Sequence, residues 1–139
     1  MVVVGENLKG LIQAQGICED ELFDEYSIKL KLDDTVFKLK PNEDKVIRYG
    51  SHHVDEFYEK TKLTSGELIL EPGECALACS SQKIKMPLGY IGFVQTKGTL
   101  ARLFVAAHCA DSQIEPGFIG KVTLEVMNMS PFKISIPVG

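Results

Sequence analysis

The sequence predicts an all-β sandwich or barrel preceded by one short helix. Three observations carry this. From residue 27 onward, apolar side chains recur with a period of two in short segments. Clusters rich in Pro, Gly, Asp and Asn separate those segments at even spacing. A helical period is confined to residues 6–17. A chain of 139 residues is long enough for one packed core and short for two, so a single domain over 1–139 is expected.

The helix comes first. Leu8, Leu11, Ile12 and Gln15 share one side, and Gly16 stands where a helix stops, which places an N-terminal helical segment within 1–17. After Ser27, Ile28, Leu30 and Leu32 face one way and Lys29 and Lys31 the other, with Asp33-Asp34 as a turn. Val36 with Leu39, and Val46 with Ile47, read as short strands around a turn at Pro41-Asn42-Glu43-Asp44. The polar stretch 48–64 reads as a loop with one helical turn at 54–60. Strands then follow at Leu68-Ile69-Leu70, at Cys75-Ala76-Leu77-Ala78-Cys79 and at 84–86, with turns at Glu71-Pro72-Gly73-Glu74 and Pro87-Leu88-Gly89. The series continues through 90–94, 105–107, 121–128 and 132–137, punctuated at Glu115-Pro116-Gly117 and Met129-Ser130-Pro131.

Composition narrows the function. With 45% hydrophobic and 24% charged residues the chain is an ordinary globular one, not a disordered or fibrous one. A net charge of -4 leaves no basic field, so neither a nucleic-acid polymer nor a membrane surface is an expected partner, and any anion must be caught locally. The opening Met1-Val2-Val3-Val4-Gly5 lacks the basic lead and apolar length of an export signal, and no apolar run approaches a membrane span. A cytoplasmic protein with reduced thiols at Cys18, Cys75, Cys79 and Cys109 is expected.

Three groups of residues bear on chemistry. Cys75, Leu77 and Cys79 point to one face of their strand, which is assigned to the core; a zinc site completed by His108 and Cys109 is the lesser reading. His52 and His53 lie in the polar loop and read as solvated imidazoles. In Thr96-Lys97-Gly98-Thr99-Leu100-Ala101-Arg102, backbone amides, a hydroxyl and two cations suit a phosphate chain without the spacing of a P-loop, and a basic turn exposed to solvent is the other reading. Along 121–126, Lys121, Thr123 and Glu125 share one face and Val122, Leu124 and Val126 the other, so Glu125 is set against an apolar face. Inside a cleft its pKa is expected to rise, fitting it to accept and return a proton.

Taken together, Leu70-Glu71-Pro72-Gly73-Glu74, Leu100-Ala101-Arg102, Ile114-Glu115-Pro116-Gly117-Phe118-x-Gly120 and Thr123-Leu124-Glu125 resemble the dCTP deaminase branch of the trimeric dUTPase superfamily. The resemblance implies a distorted β jelly roll of the dUTPase-like type, assembled as a homotrimer with nucleotide sites shared between subunits. It implies deamination of dCTP to dUTP and ammonia, with Glu125 as proton shuttle and Arg102 positioning water and base. Lys97, Gly98 and Thr99 fall on the phosphate turn, Glu115 on the deoxyribose contact, and Asp111 and Gln113 beside the base. Magnesium is implied on the triphosphate and zinc is not, since the His-x-Glu and Pro-Cys-x-x-Cys signature of zinc deaminases is missing.

This sequence departs from the family pattern in places. Lys97-Gly98-Thr99 stands for Arg-Ser-Ser, Glu115 for an aspartate, Ala110-Asp111-Ser112-Gln113 for a small Thr-Ala stretch, and Ile28-Lys29-Leu30-Lys31-Leu32 for the first motif. Two other readings therefore stand beside deamination: a dUTPase-like pyrophosphatase with Glu115 activating water, and a non-catalytic trimeric nucleotide-binding or regulatory module. The sequence ends at Ile136-Pro137-Val138-Gly139, where relatives run on into a closing lid, and weak, slow turnover is expected of a site lacking one.

Overall fold

The computed structural model describes residues 1–40, 46–50 and 56–139. The first element, α1 (Gly5–Gln15), forms where the sequence places it and buries Leu8 and Ile12, one turn apart, against the core. Gly16 ends it in the left-handed conformation (φ 60°), where an L side chain is strained, and its N–H caps the Ile12 carbonyl.

Eleven strands follow among the described residues: β1 (Phe23–Asp24), β2 (Ser27–Ile28), β3 (Thr35–Leu39), β4 (Tyr58–Lys62), β5 (Glu67–Leu70), β6 (Cys75–Lys85), β7 (Gly92–Phe93), β8 (Val105–Ala106), β9 (Gln113–Ile114), β10 (Ile119–Asn128) and β11 (Ile134–Pro137). A one-turn helix, α2 (Gly98–Ala101), separates β7 from β8. The main sheet runs β4-β3-β6-β10-β8 with every pairing antiparallel, and β5 pairs β11, β7 pairs β9 and β1 pairs β2 in two-stranded sheets. The fold is thus all-β with one short helix, as the alternation predicts.

The spine is the β6–β10 pair, which places Glu125 opposite Leu77 and Thr123 opposite Cys79. The register slips between Lys121 and Thr123, which takes the Val122 N–H out of the ladder. Ser80, fully buried, accepts that N–H on Oγ at 2.9 Å and donates its own hydrogen to the Gln82 carbonyl at 2.7 Å. At the far end of β10 the buried Asn128 amide group donates to the carbonyls of Leu70, Glu71 and Phe132, while its Oδ1 accepts from the N–H and hydroxyl of Ser130. That one side chain ties β10 to the end of β5 and to the turn before β11.

Both Pro-Gly turns form as the sequence predicts. Gly73 (φ 76°) and Gly117 (φ 83°) take the positive-φ position that a type II turn demands after Pro, closed by N–H groups of Glu74 and Phe118 onto the carbonyls of Glu71 and Glu115. The Glu115 turn fixes the entry into β10, because the Gly117 N–H and the Phe118 carbonyl both bond the Met86 backbone.

Four expectations need correction. Ala76, Ala78 and Ser80 form the core face of β6, while Cys75, Leu77 and Cys79 are half-buried on the other side. Small residues fill the tightly packed layer, and the larger, more apolar ones cover the opposite face. Residues 58–62 are the edge strand β4, paired with β3 from Thr35↔Lys62 to Leu39↔Tyr58, where a helical turn is expected; partner hydrogen bonds outweigh a polar local sequence. Val46 and Ile47 are exposed and outside any strand. The segments expected at 75–79 and 84–86 are one strand, β6. The turn at 41–44, His52, His53 and the first residues of the expected helical turn lie outside the described residues.

Candidate active site

Glu125 is half-buried on β10, on the face shared with Lys121 and Thr123, while Val122, Leu124 and Val126 are buried on the other, as alternation predicts. The segment 107–112 folds over it. Glu125 Oε2 accepts the backbone N–H groups of Cys109 (2.8 Å), Ala110 (2.8 Å) and Asp111 (3.3 Å), and the Cys109 thiol donates to the Glu125 carbonyl at 3.4 Å. These amides, Ala110 first, hold the carboxyl below the ordinary glutamate range, with His108 adding to them and burial opposing them. The rise expected of a carboxylate in a cleft is thus reversed: the loop amides outweigh the loss of water.

Beside this carboxylate lies a cavity of about 170 Å³. Val94, Ile114, Phe118 and Val122 form its apolar wall; Asp111, Gln113, Thr123 and Glu125 form its polar edge. The loop is pinned at both ends: Thr96 Oγ1 accepts the Ala107 N–H at 2.8 Å, and the Val94 N–H bonds the Ser112 carbonyl at 2.7 Å. Asp111 Oδ1 accepts the Gln113 N–H at 3.1 Å and closes a tight local turn. Gly92, in the strand paired to Ile114, is closely packed: a Cβ there would meet the Met86 methyl at 2.7 Å and the Ile114 Cβ at 3.3 Å, so Met86 would have to shift.

Of the residues singled out from the sequence, Asp111, Gln113 and Glu125 are therefore gathered around one cavity. Lys97, Gly98, Thr99 and Arg102 are not among its walls; they form an exposed helical turn, closed by the Leu100 and Ala101 N–H groups on the Lys97 carbonyl and by the Arg102 N–H on Gly98. Glu115 is exposed on its turn, also outside the cavity lining. Lys121, which shares the face of Glu125, is taken up by Asp33 in an ion pair that also receives the Cys79 thiol. Burial and the Asp33 carboxylate push that thiol's pKa up, and burial does the same at Cys109, so neither is an activated nucleophile. Among the described residues no three His, Cys, Asp or Glu side chains gather as a metal cluster.

Sequence reasoning missed Thr96 and the amides of 109–111. Thr96 is readable only as part of a polar turn, and backbone amides leave no signature in side-chain types. It also missed Val94, Phe118 and Val122 as cavity walls; their apolar character marks them equally well for the core.

The antiparallel fold thus sets a carboxylate whose pKa is lowered by loop amides at the edge of a cavity with an apolar wall. The chain belongs to the dCTP deaminase-like family, whose model matches residues 4–139. It is 28% identical over 145 residues to a protein of Methanobrevibacter smithii named dCTP deaminase, dUMP-forming, covering 97% of this chain and 73% of the relative. A protein of the same name from Halobacterium salinarum is 33% identical over 84 residues, 60% of this chain and 43% of that one. The fold is that of the dCTP deaminase of Agrobacterium tumefaciens, with a TM-score of 0.69 at 16% identity over 99% of this chain and 45% of that one. The chain spans about half the length of several curated relatives it matches. No helix among the described residues is long and apolar enough to cross a membrane.

Proposed function

We propose that this protein deaminates deoxycytidine nucleotides, dCTP in particular, with Glu125 as the proton shuttle. The observation that carries this reading is a carboxylate held ionised by three amides at the edge of a cavity that fits one heterocyclic ring. Glu125 takes a proton from water, the hydroxide adds to C4 of the cytosine ring, and the proton passes to the exocyclic nitrogen. Ammonia then leaves, the proton of the added hydroxyl passes to N3, and the carbonyl of uracil forms. In this reading Glu125 Oε1 faces the water, since Oε2 is committed to the loop.

The rest of the nucleotide needs more than this cavity. Ligand pockets commonly enclose about 300–1,000 Å³, so a volume near 170 Å³ takes the base and leaves sugar and phosphates outside. Lys97, Gly98, Thr99 and Arg102 supply an exposed turn for the triphosphate, with its magnesium held by phosphate oxygens and water. A homotrimer in which one subunit's turn serves a neighbour's cavity unites the two halves. Exposed apolar residues near the turn and β8, among them Leu103, Phe104 and Met129, support that assembly. Light scattering is expected to report a trimer, and a monomer at micromolar concentration contradicts it.

The activity test is incubation with each deoxynucleoside triphosphate and magnesium, with chromatography of the products. Ammonia from dCTP is expected. Since several relatives are named as forming dUMP, pyrophosphate is followed in the same assay. Pyrophosphate from dUTP without ammonia from dCTP transfers the chemistry to a dUTPase-like reaction, and binding without any product leaves a nucleotide-binding module.

A further inference from the structure

The four polar side chains of the cavity differ in what each has left to offer a ligand. Glu125 has Oε2 saturated by three amides and, in the proposed reaction, its other oxygen committed to water. The side chains of Gln113 and Thr123 each present both a donor and an acceptor, so neither distinguishes a ring amine from a ring carbonyl. Asp111 is different. Its Oδ1 is occupied by the Gln113 N–H at 3.1 Å, and among the described residues nothing hydrogen-bonds Oδ2. A carboxylate only accepts, so this free oxygen welcomes a donor and repels another acceptor.

We infer that Asp111 is the residue that selects the base: its Oδ2 accepts the 4-amino group of cytosine and rejects the 4-carbonyl of uracil. This inference rests on the deaminase reading above and goes beyond it, because it assigns discrimination to a group separate from the proton shuttle. The position of Asp111 is fixed in advance. Its own N–H bonds Glu125, its carboxylate holds Gln113, and the loop is anchored through Thr96 and Val94. Asp111 is exposed, so the discrimination comes from repulsion between its free oxygen and a carbonyl held beside it, and the product, which carries oxygen where the substrate carried nitrogen, is disfavoured.

The test variant is Asp111→Asn. Asparagine Oδ1 still accepts the Gln113 N–H, so the local turn is retained, while its amide nitrogen takes the place of the free oxygen and turns an acceptor into a donor. Affinities for dCTP and dUTP are measured by calorimetry in the wild-type protein and the variant, beside steady-state deamination. The wild type is expected to bind dCTP about tenfold or more tighter than dUTP, and the variant to lose that preference, with KM for dCTP raised more than kcat is lowered and with product inhibition appearing. A second measurement leaves Asp111 in place and uses the Glu125→Gln protein, which cannot add water at C4: a deoxynucleoside triphosphate of pyrimidin-2-one, which lacks the 4-amino group, is expected to bind it about tenfold more weakly than dCTP. Ammonia release from dCTP together with an unchanged dCTP-to-dUTP ratio in Asp111→Asn, or equal binding of dCTP and the pyrimidinone, overturns the role of Asp111 and leaves the deaminase reading standing. A wild-type protein that neither binds dCTP nor releases ammonia overturns both.

Discussion

The loop over Glu125 and the helical turn α2 are neighbours in the chain, tied by one hydrogen bond from Ala107 to Thr96, yet they are held in different ways. The loop delivers three amides to one carboxylate oxygen and borders a cavity with buried apolar walls. The turn is exposed from Lys97 to Thr99 and at Arg102, and only Leu100 packs against the core. One region is set before any ligand arrives; the other offers charges on mobile stems to solvent. In the proposed reaction the difference separates two tasks. Proton transfer needs a fixed group, whereas phosphate capture tolerates side chains that settle around an arriving anion.

The comparison breaks most visibly at Glu125. Glu125→Ala removes the base and three exposed amide hydrogen bonds together, so deamination should vanish and unfolding free energy should fall by about 0.5–1.5 kcal/mol in denaturant titration. Glu125→Gln keeps an oxygen for the amides; activity should fall about 10²–10⁴-fold with little change in stability. Equal destabilisation by both means that the charge, not the hydrogen bonding, holds the loop. On the turn, Lys97→Ala and Arg102→Ala should each weaken dCTP binding about tenfold while deoxycytidine binding barely moves. Equal losses for both ligands remove the phosphate role. Smaller still is Thr96→Val, which deprives the Ala107 N–H of its acceptor: kcat should fall severalfold and Thr96→Ser should restore it. An unchanged kcat shows that the two regions are independent.

Acidity sharpens the contrast. Because the folded-state pKa of Glu125 is lowered, its stabilisation is complete above the ordinary glutamate value and is lost as pH falls through the lower, folded value. The acid limb of kcat/KM should therefore lie below the ordinary carboxylate range. Glu125→Gln should show no pH-dependent loss of stability from this site, and a wild-type limb above pH 5 would mean that the amides release the carboxylate in the free enzyme.

How much of this was legible follows the range of the interactions. The alternation of Val122, Leu124 and Val126 with Lys121, Thr123 and Glu125 is local, as are the two Pro-Gly turns, and each was readable from neighbouring residues. Strand β4 was not, because Tyr58-Glu59-Lys60-Thr61-Lys62 is polar and becomes a strand through its partner β3. The core face of β6 escapes the pattern for a similar reason: Cys75, Leu77 and Cys79 are the more apolar set, but Ala76, Ala78 and Ser80 are small enough for the close-packed side. At the site, the motif residues pointed to Glu125, whereas the direction of its pKa depends on amides sixteen, fifteen and fourteen residues away in sequence. Side-chain patterns do not encode where those amides point.

The role of Glu125 is tested most directly by ammonia release from dCTP at neutral pH by the wild-type protein and by Glu125→Gln, with calorimetry of dCTP on both. Release by the wild type, release about 10²–10⁴-fold slower by the variant, and affinities within a few fold of each other are expected. Comparable ammonia from a folded, dCTP-binding Glu125→Gln protein would contradict the assignment of Glu125 as the group that moves the proton.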